Sequence, residues 1–355
     1  MTKPRAHVRV LLAVVASIAA VGCAASPPPA ATVTAADLGL YEGADRMQKL
    51  IDGARKEGAL TVYTSSLAED IGKVVEAFEK KYGIEATIWR AGSEAVLNRA
   101  LQESRAGRHT VDVVETNGPE LEGLSREKIL QLVKSPHHAD LIAPAIRPHG
   151  EWVGTRLNVF VQAYNTKLIK KEDLPKTWED LTDPKWKGKL GIEQEDSDWL
   201  AGIAGELGEG PAQEVFKKIV STNGISVRKG HTLLTQLVAS GEVPLALTVY
   251  NYKAEQLRAE GAPIDWFTIG NAIARPNGVS VARNAPHPHA AVLFYDFELS
   301  EEGQKIIADR EFVPTSTKVD TPLNKVPMTF VDARVTLDEY DKWKNMYEGL
   351  FGGTR

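Results

Sequence analysis

Cysteine is nearly missing: the 355 residues contain 1, Cys23, so no internal disulfide can brace the fold. Long apolar runs are scarce too. The longest, Val10–Val21, falls well short of the roughly 20 residues a membrane span needs. A basic surplus is absent, with 42 Lys and Arg against 47 Asp and Glu and a formal net charge of -5. No stripe of basic residues interleaved with aromatics appears either, which argues against a nucleic-acid partner. The chain has no G-x-S-x-G elbow, H-E-x-x-H pair, P-loop or G-x-G-x-x-G turn. An enzyme reading is left without an activated nucleophile, and no cofactor is expected.

What is present begins at the N-terminus. Lys3, Arg5 and Arg9 precede the apolar run, a secretory pattern. The run closes on Ala20-Val21-Gly22-Cys23, which resembles a bacterial lipobox and predicts lipidation of Cys23. Residues 1–23 then read as a signal peptide with lipobox, and 24–40 as a Pro/Ala-rich tether that keeps the folded body off the membrane. The expected location is the bacterial cell envelope, on its periplasmic or extracellular face, with the lipid anchor as the only membrane association. Hydrophobic content of 43% with 25% charge fits a soluble globular body, and the length suits two domains.

Along that body, strands and helices alternate. Ala59–Tyr63, Ile84–Trp89 and Val111–Glu115 read as strands, each followed by a helical segment, a pattern that predicts a parallel sheet with helices on its faces. An amphipathic helix is expected over Leu38–Lys56 and another over Leu337–Leu350. Residues 41–153 and 275–355 are assigned to a first α/β lobe and 154–274 to a second. Extended crossings near Leu157–Asn165 and Ile264–Pro276 would form the hinge.

Candidate binding residues gather at strand ends, where ligands bind in open α/β sheets. After the first strand come Thr64, Ser65 and Ser66, suited to an anion at a helix N-terminus or to simple capping. Arg90 and Ser93 follow the second strand; Glu115, Thr116 and Asn117 follow the third. A glutamate ending an apolar strand is costly to bury unless it is paired or meets a ligand. The second lobe offers the acidic run Glu193, Glu195, Asp196 and Asp198, with Ser197 beside it and Trp199 as a stacking surface. Helix-terminus charge explains one or two of these carboxylates, and the surplus points to a cationic group, an amine or a metal. His231 opens a helix, and Arg275 and Arg156 stand on the crossings as counter-charges. The apolar stretch Leu245–Val249 leads into Tyr250-Asn251-Tyr252, two phenols that would face opposite sides if the strand continued.

Four stretches carry a resemblance: Ala54–Ser66, Ala163–Lys187, Gly241–Leu247 and Phe297–Ala308. Together they resemble the extracellular solute-binding proteins of bacterial ABC importers, nearest to the ferric-ion-binding class. The resemblance implies a two-lobe periplasmic-binding-protein fold of the α/β class, with a two-crossing hinge and the ligand cleft between the lobes. It also implies capture of a small solute by hinge closure, delivery to an ABC permease, and a monomer as the working unit. The iron-ligand positions of that class fall here on Leu67, Asn117 and the pair Asn251-Tyr252. Only Tyr252 keeps a suitable donor, because Fe(III) favours charged oxygens. The class also binds a synergistic anion at the loop that is acidic here, and such a loop would repel it. A small polar organic solute is therefore expected, with iron or another metal as the alternative. An envelope-anchored enzyme is the alternative from another class.

Overall fold

The structure, a computed structural model of the chain, describes residues 33–352. Cys23, the lipobox-like segment and most of the tether lie outside the described residues. The end of the expected tether is folded rather than extended, because Thr34 caps a short helix, Ala35–Gly39. The expected helix over 38–56 is thus two: that short one, and Arg46–Glu57.

Among the described residues the sheet has 12 strands, and nine of them position the site: β1 Ala59–Thr64, β2 Glu85–Arg90, β3 Val113–Asn117, β4 Val153–Asn165, β5 Leu190–Glu193, β6 Ser226–Arg228, β7 Leu245–Tyr250, β8 Ile264–Phe267 and β9 Ala272–Ala282. They hydrogen-bond in the order β2-β1-β3-β9-β4-β7-β5-β6, with β8 pairing β4 to one side. The sheet is mixed, not parallel throughout. β1, β2 and β3 run parallel, as do β5, β6 and β7, but β9 is antiparallel to both β3 and β4. The long strands β4 and β9 supply the reversal because each crosses between the two parallel groups.

Their pairing is irregular where they cross. The register slips between Asn277 and Gly278. Pro276 has no N–H to give to a ladder, and a Cβ at Gly278 would stand 2.4 Å from the Val153 carbonyl oxygen. The sequence therefore fixes a bulge at the crossing, and only glycine fits it.

Helices form where apolar residues recur at helical spacing. In Ala68–Tyr82 the buried positions are Ile71, Val74, Val75, Phe78 and Tyr82. Acidic Glu69 and Asp70 start that helix, Lys80 and Lys81 end it, and Gly83 stops it at a φ of 73°. Phe78 meets Phe294 and Phe297 edge-on or tilted, with ring centroids 5.1 and 5.7 Å away. These two belong to Pro288–Leu299, a helix buried on nearly every side at the centre of the first lobe.

The C-terminal segment packs against two separate groups of helices. Ala333–Asp338 lies on the first-lobe helix Gly118–Arg126, joined by an Arg126–Asp338 ion pair. The last helix, expected over Leu337–Leu350 in the first lobe, runs over Tyr340–Phe351. It packs instead on Ser197–Leu207 and Glu209–Asn223, where Phe351 meets Phe216. Its buried stripe of Trp343, Tyr347, Leu350 and Phe351 explains the choice.

Candidate functional site

On the first-lobe side, everything is arranged around Glu115. It is fully buried near the end of β3, and β4 sets Arg156 against it as an ion pair. The Thr64 hydroxyl donates to the same carboxylate, and the Ser66 hydroxyl lies 2.9 Å from both of its oxygens. Arg156 also donates to the Ser66 hydroxyl at 2.6 Å. The cost of burying Glu115 is thus met from within the chain. Thr64 and Ser66 are organised around the protein's own carboxylate, which corrects the expectation of a loop open to an external anion. Thr116 donates to the Ser65 hydroxyl at 3.0 Å, and Asn117 donates to Ser93 at 2.7 Å while accepting from Asn158 and Asn277. Arg90 holds the Ser66 carbonyl at 3.2 Å and is otherwise exposed.

The second-lobe side is acidic and only partly paired. Glu193, ending β5, accepts from the Gly230 and Glu195 amides at 2.8 and 2.5 Å and so fastens two loops together. Burial, then the nearby Asp196 charge, push its carboxyl above the ordinary value. Asp196 pairs with the His231 ring at 3.1 Å. Burial pulls that imidazole down, but the charge of Asp196 and its hydrogen bond outweigh burial and leave it above the usual histidine value. Asp198 pairs with Arg275, which also donates to the Tyr250 hydroxyl. Glu195 is exposed and pairs with Lys229 at 3.1 Å.

Trp199 does not belong to this surface. The helix begins at Ser197, so the indole turns into the core between Trp178 and Phe216, with ring centroids 5.5 and 5.3 Å away. It is 1% exposed and offers no stacking face. Ser197, also buried, opens the helix.

Tyr250 ends β7, and Asn251 already belongs to the helix Asn251–Ala259. The strand therefore does not continue through the triplet, and the two phenols are not thrown to opposite faces. Their rings lie 5.9 Å apart and nearly parallel, at 19°. The His231 ring lies 3.8 Å from Tyr250, and Phe312 lies 4.1 Å from Tyr252. Burial pushes Tyr250 far above the usual phenol range, and burial raises Tyr252 to about 12 although Arg156 and Arg90 oppose it. Both phenols stay protonated, and the Tyr250 hydroxyl accepts from Arg275.

Two residues were missed as site candidates. Asn251 is fully buried, and neither its amide oxygen nor its nitrogen has a partner among the described residues. Glu120, in the first turn of the helix after β3, is half-buried with one carboxylate oxygen unpartnered. Burial raises it to about 7, with the charge of Arg275 opposing and those of Asp198 and Glu94 adding. It is the residue that carries first-lobe charge across to Arg275 and Asp198. An acid one turn into a helix that follows Asn117-Gly118-Pro119 was the available signal.

His287 and His289, a motif that looks like a metal pair, separate to Asp112 and Glu57 respectively. Among the described residues, Glu193, Asp196 and His231 form a different cluster, each with one donor atom within 4.8 Å of the others.

Comparison with known proteins places this geometry. Residues 118–334 match the family described as bacterial extracellular solute-binding protein. Iron uptake protein A1 of Synechocystis sp. is 25% identical over 311 residues, spanning 82% of this chain and 85% of that relative. Iron-bound HitA from Pseudomonas aeruginosa superposes with a TM-score of 0.72 at 24% identity, covering 82% of this chain and 99% of that one. The periplasmic binding protein AfuA from Actinobacillus pleuropneumoniae, with fructose-6-phosphate bound, gives 0.73 at 22% identity, over 83% and 99%.

Proposed function

Because the chain belongs to the family of bacterial extracellular solute-binding proteins, we propose that it captures a small polar organic solute bearing a cationic amine and hands it to an ABC permease. The carrying observation is charge. Glu120, Glu193, Asp196 and Asp198 converge where Arg275 and His231 are the partners they share, so carboxylates outnumber cations. An ammonium group supplies the missing positive charge. An anionic end, where the solute has one, is met by Arg90 and by the Tyr252 hydroxyl, since Thr64 and Ser66 are engaged by Glu115.

In this reading residues 41–153 and 275–339 form one lobe, 154–274 with the last helix Tyr340–Phe351 form the other, and β4 and β9 are the crossings about which they close. The protein works as a monomer held to the envelope through lipid on Cys23, and it performs no catalysis. A ferric reading loses support because Leu67, Asn117 and Asn251 fall where the ferric class has its ligands, and none offers the charged oxygen Fe(III) favours.

A melting-temperature screen of amino acids, polyamines, aminophosphonates and sugar phosphates tests the class, since a ligand stabilises by RT ln(1 + [L]/Kd). Amine-bearing compounds are expected to raise the midpoint, and Glu120→Gln to weaken them by roughly tenfold, about 1.4 kcal/mol. Stabilisation by sugar phosphates alone would overturn the amine reading. Tyr252 separates its own roles in titration calorimetry. Tyr252→Phe is expected to lose on the order of 1 kcal/mol of binding, the worth of one hydrogen bond, and Tyr252→Ala more. Unchanged affinity in both variants would make this stretch scaffold.

A further inference from the structure

We infer that Glu193, Asp196 and His231 form a binding site for one divalent transition-metal cation of the zinc class on the second lobe. The inference draws on Glu193 and Asp196, two of the carboxylates the amine reading also uses, so metal and ammonium compete for that charge and the experiment below tells them apart.

Three observations carry it. The first is the donor set: two carboxylates and an imidazole, each offering one atom within 4.8 Å of the others. Imidazole with carboxylate suits zinc and its neighbours, whereas an all-oxygen set would favour calcium or magnesium. The second is spacing. Donors ~2.0–2.2 Å from a shared zinc ion at tetrahedral angles stand roughly 3.4 Å apart. The His231 ring and Asp196 carboxylate are already 3.1 Å apart, so one edge of the polyhedron exists before any side chain moves.

The third observation tells this cluster from a self-contained ion pair. Asp196 is 2% exposed, yet among the described residues its second carboxylate oxygen has no partner. An aspartate buried only to pair with a histidine would not leave that oxygen idle, because unpaired buried polar groups are rare.

The surroundings fit a held ligand. Glu193 is fixed through the Gly230 and Glu195 amides, and the Tyr250 ring lies against His231 with centroids 3.8 Å apart. The Tyr347 hydroxyl donates to the Glu193 carbonyl at 2.5 Å, pinning the strand end that presents the carboxylate. These contacts orient the donors as outer partners orient metal ligands elsewhere. On binding, the cation replaces the proton shared by His231 and Asp196, and that proton leaves to solvent.

The test uses the full secreted chain, stripped with chelator and titrated calorimetrically with Zn2+ alone and with Co2+ alone. One equivalent is expected to bind, with the visible absorption of four- or five-coordinate cobalt. His231→Ala and Asp196→Asn should each weaken binding at least tenfold and remove the cobalt band. His109→Ala, at an exposed histidine outside the site, should leave both unchanged. Melting curves of the stripped variants check that they fold, and His231→Gln serves where His231→Ala does not. No binding, or binding that survives His231 and Asp196 replacement, overturns the site. Repeating an amine titration in chelator separates the two readings: amine binding kept without metal leaves the amine reading standing whatever the fate of the metal site.

Discussion

Replacing Arg156 with methionine is expected to destabilise the protein by roughly 3–5 kcal/mol, the cost of leaving a buried carboxylate without its partner. Arg156 is 6% exposed and Glu115 fully buried, so solvent screens neither. The guanidinium also donates to Ser66 and lies 4.8 Å from the Phe312 ring centroid, which methionine replaces only in part. Urea titration of the wild type and variant measures the difference. The double variant Glu115→Gln with Arg156→Met should recover much of the loss, because a neutral amide in the same place needs no counter-charge. A loss under 1 kcal/mol for the single variant would show that Glu115 is satisfied without Arg156, and the account of the first-lobe side would fail.

Stability is expected to fall as pH rises from about 5 to about 9, and Glu298→Gln to flatten that fall. Glu298 is 1% exposed and has one carboxylate oxygen without a partner. Burial, then repulsion from Glu115, push it up to about 8, with Arg156 and a Thr155 hydrogen bond opposing. Unfolded, it titrates near the ordinary glutamate value of about 4.3. Between those values the folded chain holds a proton that the unfolded chain has released, so stability decreases with pH there. The contribution is complete below the unfolded value and gone above the folded one. Glutamine keeps the neutral shape at every pH, so Glu298→Gln should gain on the wild type by on the order of 1–3 kcal/mol between pH 5 and 9. Parallel curves for the two proteins would mean Glu298 is ionised in the fold from the start.

The α/β class was legible from the alternation of strands and helices, and the two-lobe plan from the stretches that carry the family resemblance. The mixed sheet was not, because strand direction depends on which strands neighbour β4 and β9, a long-range fact that periodicity does not hold. Acidic surplus at 193–198 was visible as composition, whereas the inward turn of Trp199 depends on where its helix starts. Glu115 illustrates the limit well. Its need for a partner could be argued from burial alone, and sequence offered Arg156 on a crossing, but only the fold joins them across β3 and β4. The buried amide of Asn251 gave no signal, since a polar residue opening a helix is ordinary.

The divided C-terminal segment has a mechanical consequence. In the proposed lobe division, Ala333–Asp338 is fastened to one lobe and Tyr340–Phe351 to the other, so the chain would pass between the lobes three times, counting β4 and β9. Two parallel straps allow bodies to twist as well as swing. A third, attached away from the other two, resists torsion and leaves bending as the soft coordinate. Tyr347 ties that third strap to the carbonyl of Glu193, so the bending coordinate and the acidic loop share one point of attachment.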